Sequence, residues 1–448
     1  MTDLWPHLSE EVRTALVARG VESWQRVYDG VATHNKEWRP LRPPIMPASA
    51  YTAMTDISAT VARLILATCL RRATTAGELR RALGMPDGAI DLLDEALPLT
   101  DDLIGGVRAD ILLAGGTPYV VEANIDSALG GAHDSDGVAQ RFLKAYDGDP
   151  VLGGIGLTAP PSAVDARYEA VRSALELTGQ DRLAMLFTTG GTYPGSQDGR
   201  AMIKLLEPFS DRGRELGLDM RVYPVEWVTL DDAGRLCVDD GPIDGVLRMF
   251  VPQGTKPSAG LDALATAVRT KTVRMFTASA SWLLASKSIF AWLWEDVDLL
   301  SADDAEVLRR HVPQTFVLSA GLRPRAVADQ GRFVLKPSGS YGGVGVVVGP
   351  EVSAHDWHAA LDAAIAEGGY VLQAHVPVDR LTMQFVEVAT GEVHEAAVPF
   401  CIAPYLFGGT PAGAYLRFAV PGAGPVVNVG QGALTSGLLL AAERPESG

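Results

Sequence analysis

A lysine at the end of a β-rich run, followed at once by a glycine turn, is a device for holding phosphate. Residues 333–348 read Phe-Val-Leu-Lys-Pro-Ser-Gly-Ser-Tyr-Gly-Gly-Val-Gly-Val-Val-Val. Gly339, Gly342, Gly343 and Gly345 let backbone N–H groups approach an anion closely, and Lys336 supplies the counter-charge. The spacing does not fit GxxxxGK[ST], and the loop joins two strands, so a P-loop or a dinucleotide turn is disfavoured. A plain glycine hairpin carrying a chance lysine is the competing reading.

The second constellation is Arg108-Ala-Asp110, followed by Glu122-Ala-Asn124. In a strand, residues i and i+2 share a face, so Arg108 goes with Asp110 and Glu122 with Asn124. Pairing of the two segments as a hairpin through Ala114-Gly115-Gly116 sets Asp110 beside Glu122 and Asn124. Three hard oxygen ligands around one point suit Mg²⁺, which binds a few carboxylates together with substrate phosphates. A solvated hairpin face is the alternative. The apolar neighbours Ile111, Leu112, Leu113, Val120 and Val121 favour partial burial, where unpaired carboxylates are costly.

Other groups are weaker on spacing alone. Ser286-Lys287-Ser288 opens an apolar helix, Gln373 and His375 end a strand, Arg417 lies in Ala-Tyr-Leu-Arg-Phe, and Asn428 precedes Gly430-Gln-Gly432. Thr188 to Gly195 follows a strand, where open α/β sheets bind ligands; a substrate loop and a structural loop are both open. His355 and His358 read as a solvated face of a helix capped by Ser353. No HExxH and no GxSxG occurs, so zinc-protease and nucleophile-elbow chemistry have no support.

The elements that must position these residues follow from pattern. Helical spacing marks Ser9 to Val12, Val21 to Tyr28 and Ser49 to Arg72, with an extended proline-rich break at 39–47. Strands at 106–113 and 117–122 form the hairpin. Beyond Pro160-Pro161 the order is helix 163–178, strand 183–187, helix 198–216, strand 220–224 and strand 245–250, the grammar of a parallel α/β sheet. A helical stretch runs from about 285 to 310, and strands with glycine turns fill the remainder. Three regions result: 1–160 with the helices and hairpin, 161–280 as a Rossmann-like α/β unit, and 281–448 with the lysine loop.

Composition sets outer bounds. The 448 residues carry 38 Lys+Arg against 54 Asp+Glu, a formal charge of −16, with 47% apolar and 21% charged residues. Those proportions exclude a disordered chain and leave room for a large core. The acidic balance argues against nucleic-acid and anionic-membrane partners but permits a local basic pocket. Cys69, Cys237 and Cys401 form no CxxC, the opening residues lack signal-peptide character, and the clean apolar runs, such as Leu64 to Leu70, fall short of the ~20 residues that span a bilayer. A cytoplasmic protein is expected.

Taken in order, these motifs resemble ATP-grasp ligases of the glutathionylspermidine-synthetase and circularly permuted type, in which the metal-binding segment precedes the nucleotide lysines. The resemblance spans about residues 40 to 440 and implies an α/β (α+β) ATP-grasp fold with permuted motif order, the nucleotide between two α+β lobes and a parallel substrate domain inserted. By the same resemblance, Asp110, Glu122 and Asn124 bind Mg²⁺, while Arg108 and Ser127 contact phosphates. Lys287 and Lys336 bind ATP beneath a flap containing Gly339, Ser340, Gly342 and Gly343. Gln373 belongs to the adenine linker, and Arg417 and Asn428 to a closing segment in which the arginine stabilises transferred phosphate. Val344 and the pair Gln373-Ala374 depart from the family pattern.

The implied activity is an ATP- and Mg²⁺-dependent carboxylate–amine ligase working through an acyl phosphate, on an amino acid or small peptide. A small-molecule kinase and a degenerate nucleotide-binding protein are the alternatives. Small-molecule carboxylate and amine substrates are the expected partners, with a homodimer open.

Overall fold

The computed structural model describes residues 3–442 apart from 32–34, 190–197, 239–240, 421, 423–426 and 428–431. Its centre is a seven-stranded antiparallel sheet. The long strand Val393–Phe407 organises it, pairing along one edge first with Arg380–Glu387 and then with Gly106–Ala114. Its other edge pairs with Thr410–Phe418. Thr117–Ile125 adds to Gly106–Ala114, Leu434–Ser436 to Thr410–Phe418, and Trp38–Pro40 to Arg380–Glu387.

The hairpin Gly106–Ala114/Thr117–Ile125 carries a register shift between Asp110 and Ile111. From the turn outward, Ala114 pairs with Thr117 and Ile111 with Val120; beyond the shift, Asp110 pairs with Glu122 and Arg108 with Asn124. Val121 is therefore an extra residue, a β-bulge. An unbroken register would set Val121 opposite Asp110 and send Glu122 to the other face, because side chains alternate with period two. The bulge is what places Glu122 and Asn124 on the Arg108/Asp110 face while Val107, Ala109, Val120, Ala123 and Ile125 stay in the core.

That core is closed by the helices Ala48–Leu70 and Ser288–Glu295. Ala48–Leu70 has 23 residues and is long and apolar enough to cross a bilayer, although its clean apolar runs are short. Here most of it is buried within the fold, and it serves as a core helix.

The segments at Ser9 to Val12 and Val21 to Tyr28 join into one helix, Glu10–Val27, capped by the Ser9 hydroxyl, which accepts from Val12 N at 3.3 Å. The stretch from 285 to 310 instead divides. Ser288–Glu295 stops, and Ala302–His311 restarts under the cap of Ser301. Asp3 reaches across to Arg42 at 3.0 Å, tying the first residues to the body of the fold.

Between residues 163 and 276 lies a four-stranded parallel sheet in the order Arg274–Phe276, Gly245–Arg248, Arg182–Phe187, Asp219–Pro224. The helices Ala163–Ala174, Gly199–Glu215 and Ala259–Arg269 accompany it. A second four-stranded sheet, antiparallel, runs Thr315–Val317, Tyr370–Ala374, Phe333–Pro337, Val347–Val348. Its apolar face holds Phe333, Leu335 and Leu372 against Trp357 and Leu361 of the helix Ala354–Glu367. Trp357 is fully buried, and its indole N–H donates to Ala326 O at 2.9 Å.

Replacing a fully buried tryptophan by alanine removes its packing and leaves a cavity. Trp357→Ala is expected to lower unfolding free energy by about 3–5 kcal/mol, measured by urea denaturation. A loss below about 1 kcal/mol would show that this helix does not carry the lysine sheet.

Candidate functional site

Asp110 is 8% exposed, and its charge is matched at close range. Arg417 Nη2 lies 2.7 Å from Asp110 Oδ2, Arg108 Nε lies 3.6 Å from Oδ1, and Asn124 Nδ2 donates to Oδ1 at 3.3 Å. Burial alone would raise the carboxyl pKa; Arg417 and Arg108 outweigh it and hold Asp110 below its ordinary value, ionised at neutral pH. Arg417 comes from Thr410–Phe418, directly opposite Cys401, whose sulfur accepts from Nη2 at 3.2 Å. Burial pushes the Cys401 thiol up to about 12, so it is a neutral packing group. Both Arg108 and Arg417 keep a buried Nε with no hydrogen-bond partner.

Glu122, on the same face through the bulge, pairs with Lys287 at 2.9 Å. Lys287 caps the helix Ser288–Glu295; its ammonium also donates to Ser340 O at 2.6 Å, and its backbone N–H donates to Ser338 O at 3.0 Å. The Ser288 hydroxyl reaches Ser338 Oγ at 2.9 Å. The glycine loop is thus stitched to the start of this helix. Within it Gly342 and Gly345 take φ of 74° and 75°, a left-handed backbone that side-chain-bearing residues resist.

Lys336 Nζ donates to Gln373 Oε1 at 2.6 Å and to the carbonyl of the bulged Val121 at 3.3 Å. Burial pulls its pKa from the ordinary 10.5 to about 8; Glu122 opposes this, and Lys287 adds to it. Gln373 is held in turn, with Nε2 donating to Thr315 Oγ1 at 3.1 Å.

Three bonded groups therefore meet at one place, Asp110 with Arg417, Arg108 and Asn124, Glu122 with Lys287 and the Ser340 carbonyl, and Lys336 with Gln373, each within electrostatic reach of the others. Gly339, Gly342 and Gly343 lie in the loop above Lys287. Gln373, read as part of an adenine linker, spends its amide on Lys336 and Thr315 and so positions the lysine. Ser127 is fully buried and donates to Arg248 O at 2.7 Å, which ties the loop after the hairpin to the parallel sheet. The Thr188 hydroxyl donates to Glu226 at 2.7 Å. Asn428 and residues 190–195 of the Thr188 loop lie outside the described residues.

Pattern reading did not find the support around Arg108. Its Nη1 donates to Gly130 O at 3.1 Å, it lies 5.2 Å over the Tyr415 ring, and Tyr405 OH donates to Gly130 O at 2.6 Å. Gly131 must be glycine: its φ is 87°, and a Cβ there would run into the Tyr415 ring. The Asp126–Arg248 pair, 3.0 Å apart and buried, was likewise invisible until the sheets were assembled.

Two carboxylates and an amide on one sheet face, with basic groups around them, are a donor set suited to a hard divalent cation and phosphate together. Elsewhere among the described residues, Glu387, Glu392 and His394 bring ligand atoms within 4.8 Å at a surface turn, with no buried donor among them. Two cavities also lie elsewhere. One of about 890 Å³ lies beside Ala62, Asp102 and Glu169, and one of about 540 Å³ beside His133, Asp136 and Arg212. Neither cavity is lined by Lys287, Lys336, Asp110 or Glu122.

In overall structure the chain is similar to a glutathione synthetase-like effector from Globodera pallida in its apo form, with a TM-score of 0.57 and 12% identity over 96% of this chain and 97% of that one. The chain has an ATP-grasp-like fold. A putative γ-glutamylcysteine synthetase from Methylobacillus flagellatus KT aligns over 91% of both chains at 14% identity and a TM-score of 0.45. D-alanyl-alanine synthetase A from Vibrio cholerae O1 aligns over 50% of this chain and 68% of its own, at 15% identity and a TM-score of 0.30. No protein-family profile matches the chain, and no characterised protein matches it in sequence. At 12% identity the likeness establishes the fold and not the activity.

The low pKa of Lys336 has a consequence for stability. Between about pH 8 and the ordinary 10.5 the unfolded chain holds this proton and the folded chain does not. Unfolding then takes up protons, so this group's contribution to stability rises with pH across that window, and its cost is full below pH 8. Urea unfolding of wild type and Lys336→Met at pH 7 and pH 10 isolates the effect. Wild type is expected to gain on the variant at the higher pH, and a pH-independent difference would overturn the assignment.

Proposed function

We propose that the protein is an ATP-dependent carboxylate–amine ligase that forms an amide or peptide bond through an acyl phosphate. The observation that carries the reading is the clustering of Asp110 and Glu122, cross-strand partners on one sheet face, with Arg108, Arg417, Lys287 and Lys336. The fold likeness to a protein named as glutathione synthetase-like supports a ligase over other uses of such a cluster.

Phosphoryl transfer asks little covalent chemistry of the protein and much positioning of charge. Lys336 and Lys287 would hold phosphate oxygens. Lys287 would exchange Glu122 and the Ser340 carbonyl for them, releasing Glu122 for a metal. Asp110, Glu122 and Asn124 would hold Mg²⁺, which when bound neutralises phosphate charge. The guanidinium groups of Arg108 and Arg417, each with an Nε–H that makes no hydrogen bond, would stabilise the group in transfer. An acyl phosphate must be kept from water, and the loop stitched to Ser288 and Lys287 is the element that can cover it. Attack by an amine on the acyl carbon completes the reaction and expels phosphate.

ADP release over a panel of acids and amines, with mass detection of product, tests this reading. Amide with ADP is expected; ADP with a stable phosphate ester marks a kinase, and no turnover marks a nucleotide-binding protein. Lys336→Ala and Glu122→Ala are each expected to reduce turnover by at least about 10²-fold with circular dichroism unchanged. Near-normal ADP release from either variant would remove these residues from the site.

Chelation should abolish turnover, and Mg²⁺ should restore it. Restoration by zinc alone would contradict the oxygen-donor reading of Asp110, Glu122 and Asn124.

A further inference from the structure

Five arginines are buried in the described structure: Arg42, Arg80, Arg167, Arg248 and Arg417. Four of them face a carboxylate, namely Asp3 at 3.0 Å, Glu95 at 2.6 Å, Asp126 at 3.0 Å and Asp110 at 2.7 Å. Arg167 is the exception. It is 2% exposed, and among the described residues no carboxylate is within ion-pair reach. Its Nη2 donates to Leu129 O, its Nη1 lies 3.9 Å from the Met249 sulfur, and its Nε is buried without a partner. The Phe407 ring lies 4.8 Å below the guanidinium.

A buried cation without a counter-ion is costly, and a fork of N–H donors matches a carboxylate in shape. Asp136 does not serve as that counter-ion. Its Oδ2 accepts from both Ser162 Oγ at 2.9 Å and Val164 N at 3.0 Å, no ion pair joins it to Arg167, and burial leaves its own pKa raised to about 6. A carboxylate matched by Arg167 would be held low instead.

The location is informative. Arg167 projects from Ala163–Ala174 onto the loop that follows the metal hairpin, and that loop's next carbonyl, Gly130 O, accepts from Arg108. On its other side stands Met249, just past the strand Gly245–Arg248 at the carboxyl edge of the parallel sheet. Ligands of open α/β sheets bind at that edge. Arg108 and Arg417 already face the phosphate side, so Arg167 stands one loop removed from the reacting group.

We propose that Arg167 receives a carboxylate of the substrate that does not react, so the site takes an acid or amine bearing a second, free carboxylate, as in an amino acid or a peptide with an unblocked C-terminus. The proposal rests on the ligase reading and narrows it. No phosphoryl transfer occurs at Arg167; it is a binding residue.

The test is a thermal-shift panel of L-amino acids and dipeptides, each beside its C-terminal amide, with inorganic phosphate as a separate probe. In wild type some free acids should protect at least about tenfold better in affinity than their amides. Arg167→Lys keeps the charge but not the fork and should lose most of that preference. Arg167→Met should unfold at a urea midpoint equal to or above that of wild type, because it removes an unmatched buried charge. Equal protection by acid and amide in wild type would overturn the proposal. So would full preference in Arg167→Lys, or protection through Arg167 by phosphate and not by carboxylate. An acid preference carried by Arg167 in a chain that releases no ADP would fail the ligase reading alone. ADP release with acid and amide alike would fail the Arg167 assignment alone.

Discussion

One extra residue, Val121, decides what this sheet face can do. With it, Asp110 and Glu122 are cross-strand partners, and Arg108 and Asn124 lie beside them. Without it, the turn at Gly115-Gly116 would dictate a register that sends Glu122 into the apolar core, where an ionised carboxylate is not tolerated. The bulge has a second product. Bulged residues leave the ladder, and the carbonyl of Val121 is free to accept from Lys336. The lysine strand, from a different sheet, is thereby docked on the same irregularity that aligns the carboxylates. Asp379 fixes the turn from outside, accepting from Gly115 N and Gly116 N at 2.9 and 2.8 Å, so the register is held from both ends.

The electrostatics follow from that docking. Four cations, Arg108, Arg417, Lys287 and Lys336, surround two carboxylates on one face. The excess is positive in a chain whose formal charge is −16. Asp110 stays ionised because Arg417 and Arg108 outweigh its burial, whereas Lys336 gives way, its pKa drawn down first by burial and then by Lys287. A site balanced this way is under-supplied with negative charge, and a polyphosphate would relieve what desolvation imposes on the lysine. Salt screens such buried groups little, so any preference for anions at this face would belong to the fold more than to the surface.

How much of this was legible in the sequence depends on whether a residue works through its neighbours in the chain or through distant ones. The hairpin partners and the loop after Lys336 were legible, because period-two alternation and glycine turns are local. The Asp110–Glu122 pairing was anticipated, but the bulge that permits it was not, since no turn signal marks Val121. Lys287, Gln373 and Arg417 are unremarkable in spacing and were reached only through family likeness; each acquires its role from a strand or helix far away in sequence. Ser127 was read as a phosphate contact, yet its hydroxyl serves Arg248 O. Arg167 gave no signal at all. A buried, unmatched arginine is recognisable only once its surroundings are known. Helix limits were missed where polar residues interrupt the apolar pattern, as in Glu10–Val27, whose joined length comes from packing its buried stripe, Leu16, Gly20, Ser23 and Val27, against the body of the fold.

The glycine loop is where the two halves of this arrangement meet. One side of it is tied to the lysines by the Lys287–Ser340 and Ser288–Ser338 bonds. The other side reaches Trp282 through Tyr341, at 5.7 Å between ring centres, and the Trp282 indole donates to Gln253 just beyond the parallel sheet. A movement of this loop would therefore disturb contacts that reach the parallel sheet. Tyr341 and Val344 are the loop's exposed large apolar side chains, at 45% and 68%, and their apolar surface would be covered on closure. Burial of those two side chains is a driving force for closing that needs no charge.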